Sequence, residues 1–227
     1  MMSQNVRTSD DVSQYFKLTY LYMVLGLLTT GLTTTITGMF FAPTLLRLMQ
    51  SSIFWMVVIL IQLSFAFVVS AVAFNKNKAI ALSGFLVFTA FEGVIIAPLL
   101  VFSKPLTVVA AFLSAAVLFV VMAVLGFTTK LDMSRFGGIL IAATLAIIIA
   151  SIVNLFLGSG TFSLILSAIV ILVFSAWTAY DNQKLRVTFA EIPAEEANSV
   201  AIIGAFDLYL DFINLFINLL NLFSSRD

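Results

Sequence analysis

The sequence predicts an all-α polytopic membrane protein, a seven-transmembrane-helix bundle, on three observations. Of its 227 residues, 62% are hydrophobic and 10% charged, whereas a soluble domain needs about a quarter of its residues charged to cover its surface. The mean hydropathy is +1.15. The apolar residues fall in long runs rather than in the alternating segments of a transmembrane barrel. In lipid such runs have to be helices, because nothing there satisfies a free backbone amide.

Crossing roughly 30 Å of hydrocarbon takes about 20 mostly apolar residues. Seven runs bounded by charge, Pro or Gly qualify: 18–40, 53–74, 79–101, 106–128, 136–157, 162–180 and 203–223. The first follows Lys17 and carries Thr29, Thr30, Thr33, Thr34, Thr35 and Thr37, whose hydroxyls can bond back to their own helix carbonyls. The second contains Trp55, suited to an interfacial belt, and ends in the basic connector Asn75, Lys76, Lys78. The third holds Glu92, with Gly93 beside it and Pro98 beyond, so a bend is expected near a charge. The fourth lies between Lys104 and Lys130. The fifth follows Arg135 and closes with Asn154, an amide for helix packing or end capping ahead of Gly158. The sixth ends at Asp181 in SAIVILVFSAWTAYD, with Trp177 and Tyr180 as further belt residues, and the seventh is GAFDLYLDFINLFINLLNLF.

The chain therefore divides into a polar N-terminal tail (1–17), one membrane domain (18–223) and a short C-terminal tail (224–227). Residues 1–16 are polar and precede no short apolar core with a cleavage site, which reads as a mature N-terminus. The longest connector is 181–202, with Pro193 and Glu195–Glu196. Lys and Arg near span ends stay in the cytoplasm. Arg7, Lys17, Lys76, Lys78, Lys130, Arg135, Lys184 and Arg186 fall on one side, and Arg47, Lys104 and Arg226 on the other. Eight against three places the N-terminus inside and, with seven spans, the C-terminus outside.

Much chemistry is excluded by composition. Without Cys there is no disulfide framework, thiol nucleophile or thiolate metal site, and without His no Ser-His-Asp triad or HExxH motif. Glu195–Glu196 resembles the start of the EExxxR motif of CAAX-type membrane proteases, but position 200 is Val. No enzyme and no cofactor are expected. A formal charge of zero argues against a nucleic-acid partner. A pH response near neutrality would have to come from carboxylates.

An ionisable group inside a span is expensive and by default faces a bundle interior or a hydrated cavity. In the seventh span Asp207, Asp211, Asn214, Asn218 and Asn221 are spaced four, three, four and three. At about 100° per residue they share an arc of about 80°, one wettable helix face. The Asn residues alone suit interhelical hydrogen bonds or pathway lining. Two carboxylates on the same stripe point to function. Asp181 lies on the same predicted side, either as a solvated helix-end residue or facing the seventh span. Two such carboxylates within hydrogen-bond distance in a low dielectric cannot both ionise cheaply, and they share a proton. Glu92 reads equally as pathway lining or as a protonated structural acid. Lys76 and Lys78 read as topology signals, or as cations that reach a carboxylate.

The stretch TAYDNQKLR (Thr178 to Arg186), together with AIIGAFDLYLDFINLFINLLNLF (Ala201 to Phe223), resembles the signature of the Bax inhibitor-1, or transmembrane BAX inhibitor motif, family, particularly its bacterial members. The likeness extends to the seven-span plan and to Asn154 before Gly158. The resemblance implies a seven-helix fold with the last helix central and a pH-sensitive calcium leak channel. The Asp of the YDTQ-like motif and the Asp of LYLDF would form a di-aspartyl latch, and these match Asp181 and Asp211. Asp207 would add a third carboxylate. Asn182 replaces the usual Thr, and Asn75 stands near where some members carry an arginine that pairs with the latch. Lys76 or Lys78 would then be the counter-ion.

The function expected is a Ca²⁺ leak of the bacterial cytoplasmic (inner) membrane. Asp181, Asp207 and Asp211 would meet the permeant ion transiently and the Asn ladder would supply neutral oxygens beyond. Its partners would be the lipid bilayer, Ca²⁺ and protons. The alternative is a membrane-embedded regulator of a membrane protease or of a stress or cell-death pathway, binding through its tail or the loop around Glu195. A proton-coupled transporter ranks third, for want of inverted repeats.

Overall fold

The computed structural model describes residues 9–73, 78–192 and 197–225. Within them the chain forms seven α-helices, one 3-10 turn (Met133–Phe136) and no strand: α1 (Ser9–Met49), α2 (Ser52–Ala73), α3 (Lys78–Phe102), α4 (Pro105–Thr128), α5 (Gly137–Leu157), α6 (Gly160–Glu191) and α7 (Ala197–Ser224). Six are long and apolar enough to cross a bilayer, and up to seven crossings result when the pair Pro43–Met49 and Ser52–Gln62, bent by 96°, counts as one. The chain is a multi-pass helical membrane protein. Lys76, Asn75, Arg7, Pro193, Glu195–Glu196 and Arg226 lie outside the described residues.

The apolar runs locate every helix but understate three of them, α1, α6 and α7, the last of which begins at Ala197 rather than at 203. α1 starts at Ser9 rather than at 18, so part of the expected tail is helical. α6 runs on to Glu191 instead of stopping at 180, and Asp181 is a mid-helix residue, not a helix-end one. The expected connector 181–202 is therefore mostly helix. The reason is that a helix needs no apolar run once neighbours cover it: Asp181, Asn182, Gln183, Leu185 and Phe189 are all buried. Helix ends follow local chemistry. Pro105 begins α4, where its missing N–H is not needed. Gly158, at φ 61°, takes the left-handed conformation that closes α5, its N–H bonding to the Asn154 carbonyl. Asn154 thus caps through its backbone; its side-chain Oδ1 is buried without a hydrogen-bond partner among the described residues. Before α5, Asp132 accepts from the Ser134 N–H at 3.1 Å and hydroxyl at 2.6 Å, which holds its carboxyl below the usual range.

α7 is central, packed by α1, α3, α4 and α6 and touched by α2. Its residues dominate the core, with Tyr209, Leu208, Ile202, Leu215 and Leu220 fully enclosed. Large aliphatic residues on the other helices stay exposed, as expected where the solvent is lipid: Leu28, Leu106, Val117, Ile149 and Leu172. Small residues set the close crossings. Gly126 of α4 lies against the Ala179 backbone of α6, and Gly93 of α3 against Thr30 and Thr33 of α1. The first-span threonines do bond to their own carbonyls, as Thr29 does to Leu25 at 2.9 Å and Thr35 to Gly31 at 2.8 Å. Two also stitch helices together: Thr30 donates to the Thr89 carbonyl and Thr34 to the Gly93 carbonyl, each at 2.9 Å.

Candidate functional site

α6 and α7 run antiparallel, so the C-terminal part of one faces the N-terminal part of the other. This pairing brings three of the predicted acids together. Asp181 of α6 and Asp211 of α7 are buried, at 5% and 3% exposure, and Asp207 lies one turn from Asp211 toward the start of α7. The three carboxylates are within electrostatic reach of one another. Among the described residues, Asp181 Oδ1 and Asp211 Oδ2 have no hydrogen-bond donor. Thr178 adjoins Asp211, but its hydroxyl proton goes to the Phe174 carbonyl at 2.8 Å. With that proton engaged, the Thr178 oxygen is left to accept one from a protonated Asp211.

The cation at this site is Lys184. Its Nζ lies 3.1 Å from Asp207 Oδ2 and 3.9 Å from Asp181 Oδ1, so one ammonium joins the two helices. In the sequence alone Lys184 counts only as a topology marker, because the sixth apolar run ends at Asp181. On a longer helix, Asp181 and Lys184 are neighbours at i and i+3, which is the signal that would have found it. Lys78 stands elsewhere, its ammonium 5.9 Å above the Tyr22 ring; Lys76 is not among the described residues. Nor do the acids form a preassembled metal cage: among the described residues no three acidic groups are placed to hold an ion.

The rest of the stripe separates by partner. Asn214 and Asn218 donate to carbonyls of their own helix, Leu210 and Asn214, at 2.8 Å. Asn221 crosses to α6, donating to Ser163 at 3.1 Å and Ser167 at 2.8 Å. Near the other end of the seam Asn182 accepts the Tyr20 hydroxyl at 2.6 Å and donates to the Thr178 carbonyl at 2.8 Å. Residue 182 thus ties α1 to the helix that bears Asp181.

Glu92 belongs to a second polar group. It is buried, and Gln62 of α2 donates to its Oε2 at 2.7 Å. Its charge reaches Tyr209, whose hydroxyl is 2.7 Å from that of Thr30. Tyr209 and Asp211 are two positions apart on one helix, so they point to nearly opposite sides. α7 therefore presents its phenol to α1 and α3 and its carboxylate to α6. Gln62, Thr30 and Tyr209 carry no sequence signal for these roles, since each depends on a partner helix.

Comparison with known proteins places the chain among bacterial membrane proteins. A family model described as "Inhibitor of apoptosis-promoting Bax1" matches residues 12–227. The chain is 32% identical over 215 residues to the inner membrane protein YbhL of Escherichia coli strain K12, covering 92% of each chain. It is 38% identical over 226 residues to an uncharacterized protein of Deinococcus radiodurans, covering 97% of this chain and 94% of that one. It is 39% identical over 168 residues to an uncharacterized membrane protein of Streptococcus pyogenes serotype M1, covering 74% and 73% respectively. With a seven-helix membrane bundle and a family match over nearly its whole length, the chain belongs to the Bax inhibitor-1 family.

Proposed function

We propose that this protein is a pH-sensitive calcium leak channel of a bacterial inner membrane, with its N-terminus in the cytoplasm, and that Asp181 and Asp211 form its latch. What carries the reading is the proximity of these two buried carboxylates across the α6–α7 seam, each with an oxygen that has no hydrogen-bond donor among the described residues, the Lys184 ammonium standing 3.9 Å from that of Asp181. Orphaned carboxylate oxygens away from water are costly unless they gain a proton or a cation. A proton shared between the two holds α6 and α7 together. Loss of that proton leaves two like charges side by side, which favours separation of the helices and attracts a hard cation to their oxygens. Calcium is cargo here, met in passing and released, so no resident metal and no catalysis enter the scheme. Asp207, already paired with Lys184, sets the charge at the mouth of the seam.

The test is calcium entry into proteoliposomes of purified protein, followed by a trapped fluorescent indicator from pH 5 to 8. Entry should grow as pH rises through the range in which the latch gives up its proton. Asp211→Asn and Asp181→Asn should each change the rate and flatten that dependence. Wild-type entry that both variants reproduce at every pH removes the latch. A purified protein that passes no calcium at any pH removes the channel and favours a regulatory role.

A further inference from the structure

Away from the carboxylates, a groove of about 810 Å³ opens between α1 and α4 at the bundle end where α1 begins. Phe16 and Tyr20 line it from α1, and Phe119, Val120 and Phe127 from α4. Its floor is Asn182 of α6, which holds Tyr20. α1 and α4 both pack on α6 and α7 but are joined to each other at this end through the edge contact of Phe16 and Phe127, 5.2 Å between ring centroids. Both walls are membrane-spanning helices, so the gap between them faces acyl chains. Its volume is within the roughly 300–1,000 Å³ of sites that enclose a whole small molecule.

The groove is apolar along its length and positively charged at its mouth. Lys17 lines it and sits at the head of the first apolar run, where a long side chain reaches the headgroup layer. Arg186 does not line the groove but stands against Phe127, which does, its guanidinium 5.8 Å from the Phe127 ring centroid and donating to the Phe127 carbonyl at 3.0 Å. Among the described residues the ion pairs use Lys184 and Arg135, and neither Lys17 nor Arg186 has a carboxylate partner. Ser13 and Thr128 bring hydroxyls to the same mouth.

We infer that the groove is a binding site for an anionic phospholipid, one acyl chain lying between α1 and α4 and the phosphate held by Lys17 and Arg186. The apolar walls take the chain by the same preference that keeps it in the bilayer. The two cations, neither ion-paired among the described residues, select a headgroup with net negative charge over a zwitterionic one, whose own ammonium would be brought to the same place. The inference is independent of the channel reading, because it concerns a different face of the bundle.

Native mass spectrometry of the detergent-purified full chain, titrated with phosphatidylglycerol or phosphatidylcholine, tests it. Wild type should retain phosphatidylglycerol preferentially. Removing each cation should cut that preference about five-fold, the ratio equivalent to about 1 kcal/mol per basic residue at an anionic surface. Lys17→Gln/Arg186→Gln should therefore bind both lipids nearly alike. Val120→Trp, which fills the groove from an exposed wall position, should reduce uptake of both lipids, whereas Val121→Trp, outside the groove, should not. All four positions are exposed, so the variants keep the fold, as a single gel-filtration peak will verify. Equal uptake by wild type, a preference that survives loss of both cations, or uptake untouched by Val120→Trp would each overturn the assignment.

Discussion

Replacing Lys184 by Gln removes the one cation that, among the described residues, stands between the two helices, and the consequence can be estimated. Nζ is 3.1 Å from Asp207 Oδ2 and 3.9 Å from Asp181 Oδ1. Two unit charges at such distances attract by roughly 4–5 kcal/mol at an effective dielectric of about 20, which is a ceiling. The Lys184 side chain is 50% exposed, so water screens it, while the Asp181 side chain is only 7% exposed. Exposed pairs are worth about 0.2–1 kcal/mol and broken buried ones about 3–5. An intermediate figure of about 1–2 kcal/mol is appropriate, close to one pH unit at about 1.4 kcal/mol per unit.

The sign follows from what Lys184 neutralises. Without it the ionised carboxylates are costlier and the protonated ones unchanged, so a higher pH is needed to ionise them. Calcium entry into proteoliposomes should therefore show its pH midpoint about one unit higher for Lys184→Gln, with Lys184→Arg close to wild type. Thermal unfolding in detergent gives a second readout. The deficit of the Gln variant should be full at high pH and fade as falling pH protonates the acids and leaves nothing to neutralise. A midpoint for Lys184→Gln that coincides with wild type, or that moves to lower pH, would refute the placement of Lys184 at the latch.

Two further substitutions probe the packing that holds the seam in place. A methyl group at Gly126 would overlap the Ala179 carbonyl oxygen and come within 2.7 Å of its Cα, so Gly126→Ala should force α4 from α6 and lower stability by about 1–3 kcal/mol. Gly31 has open space around it, and Gly31→Ala should be neutral or stabilising by up to about 1 kcal/mol; equal melting temperatures for the two variants would contradict the crossing. Gln62→Leu strips buried Glu92 of its donor and should cost about 1–3 kcal/mol in thermal unfolding, with Gln62→Leu/Glu92→Leu regaining most of it. A single variant as stable as wild type would mean that Glu92 does not depend on Gln62.

Hydropathy placed every helix because lipid imposes a length and forbids unsatisfied backbone, a constraint that acts on each span separately. It failed where one helix is sheltered by others. α6 beyond Asp181 reads DNQKLRVTF, polar enough to look like a connector, yet Asn182, Gln183, Leu185 and Phe189 are buried against neighbours. Ending the span at Asp181 hid the i, i+3 relation to Lys184, and with it the counter-ion. The stripe on α7 was legible because helical periodicity is internal to one segment. Which stripe residues need a partner was not, since Asn214 and Asn218 turn back to their own carbonyls and Asn221 finds serines on α6.

That sorting bears on where function can reside. A polar stripe through a membrane helix could serve as a continuous ladder only if its members kept free capacity along its length. The three Asn residues commit their amide N–H groups to protein carbonyls or hydroxyls and keep only their Oδ1 oxygens as neutral acceptors, and Asp207 is joined to Lys184. Asp211 retains a buried oxygen that nothing among the described residues satisfies, and Asp181, across the seam, retains another. Along the α6–α7 seam, the buried carboxylate oxygens without a donor among the described residues are those of Asp181 and Asp211, two acids within electrostatic reach of each other. On its far side α7 is fixed at the same level by Tyr209 against Thr30, Phe85 and Phe88. A proton or cation arriving at Asp181 and Asp211 therefore meets a helix braced from behind, and the resulting change in charge has to be expressed as attraction or repulsion between α6 and α7.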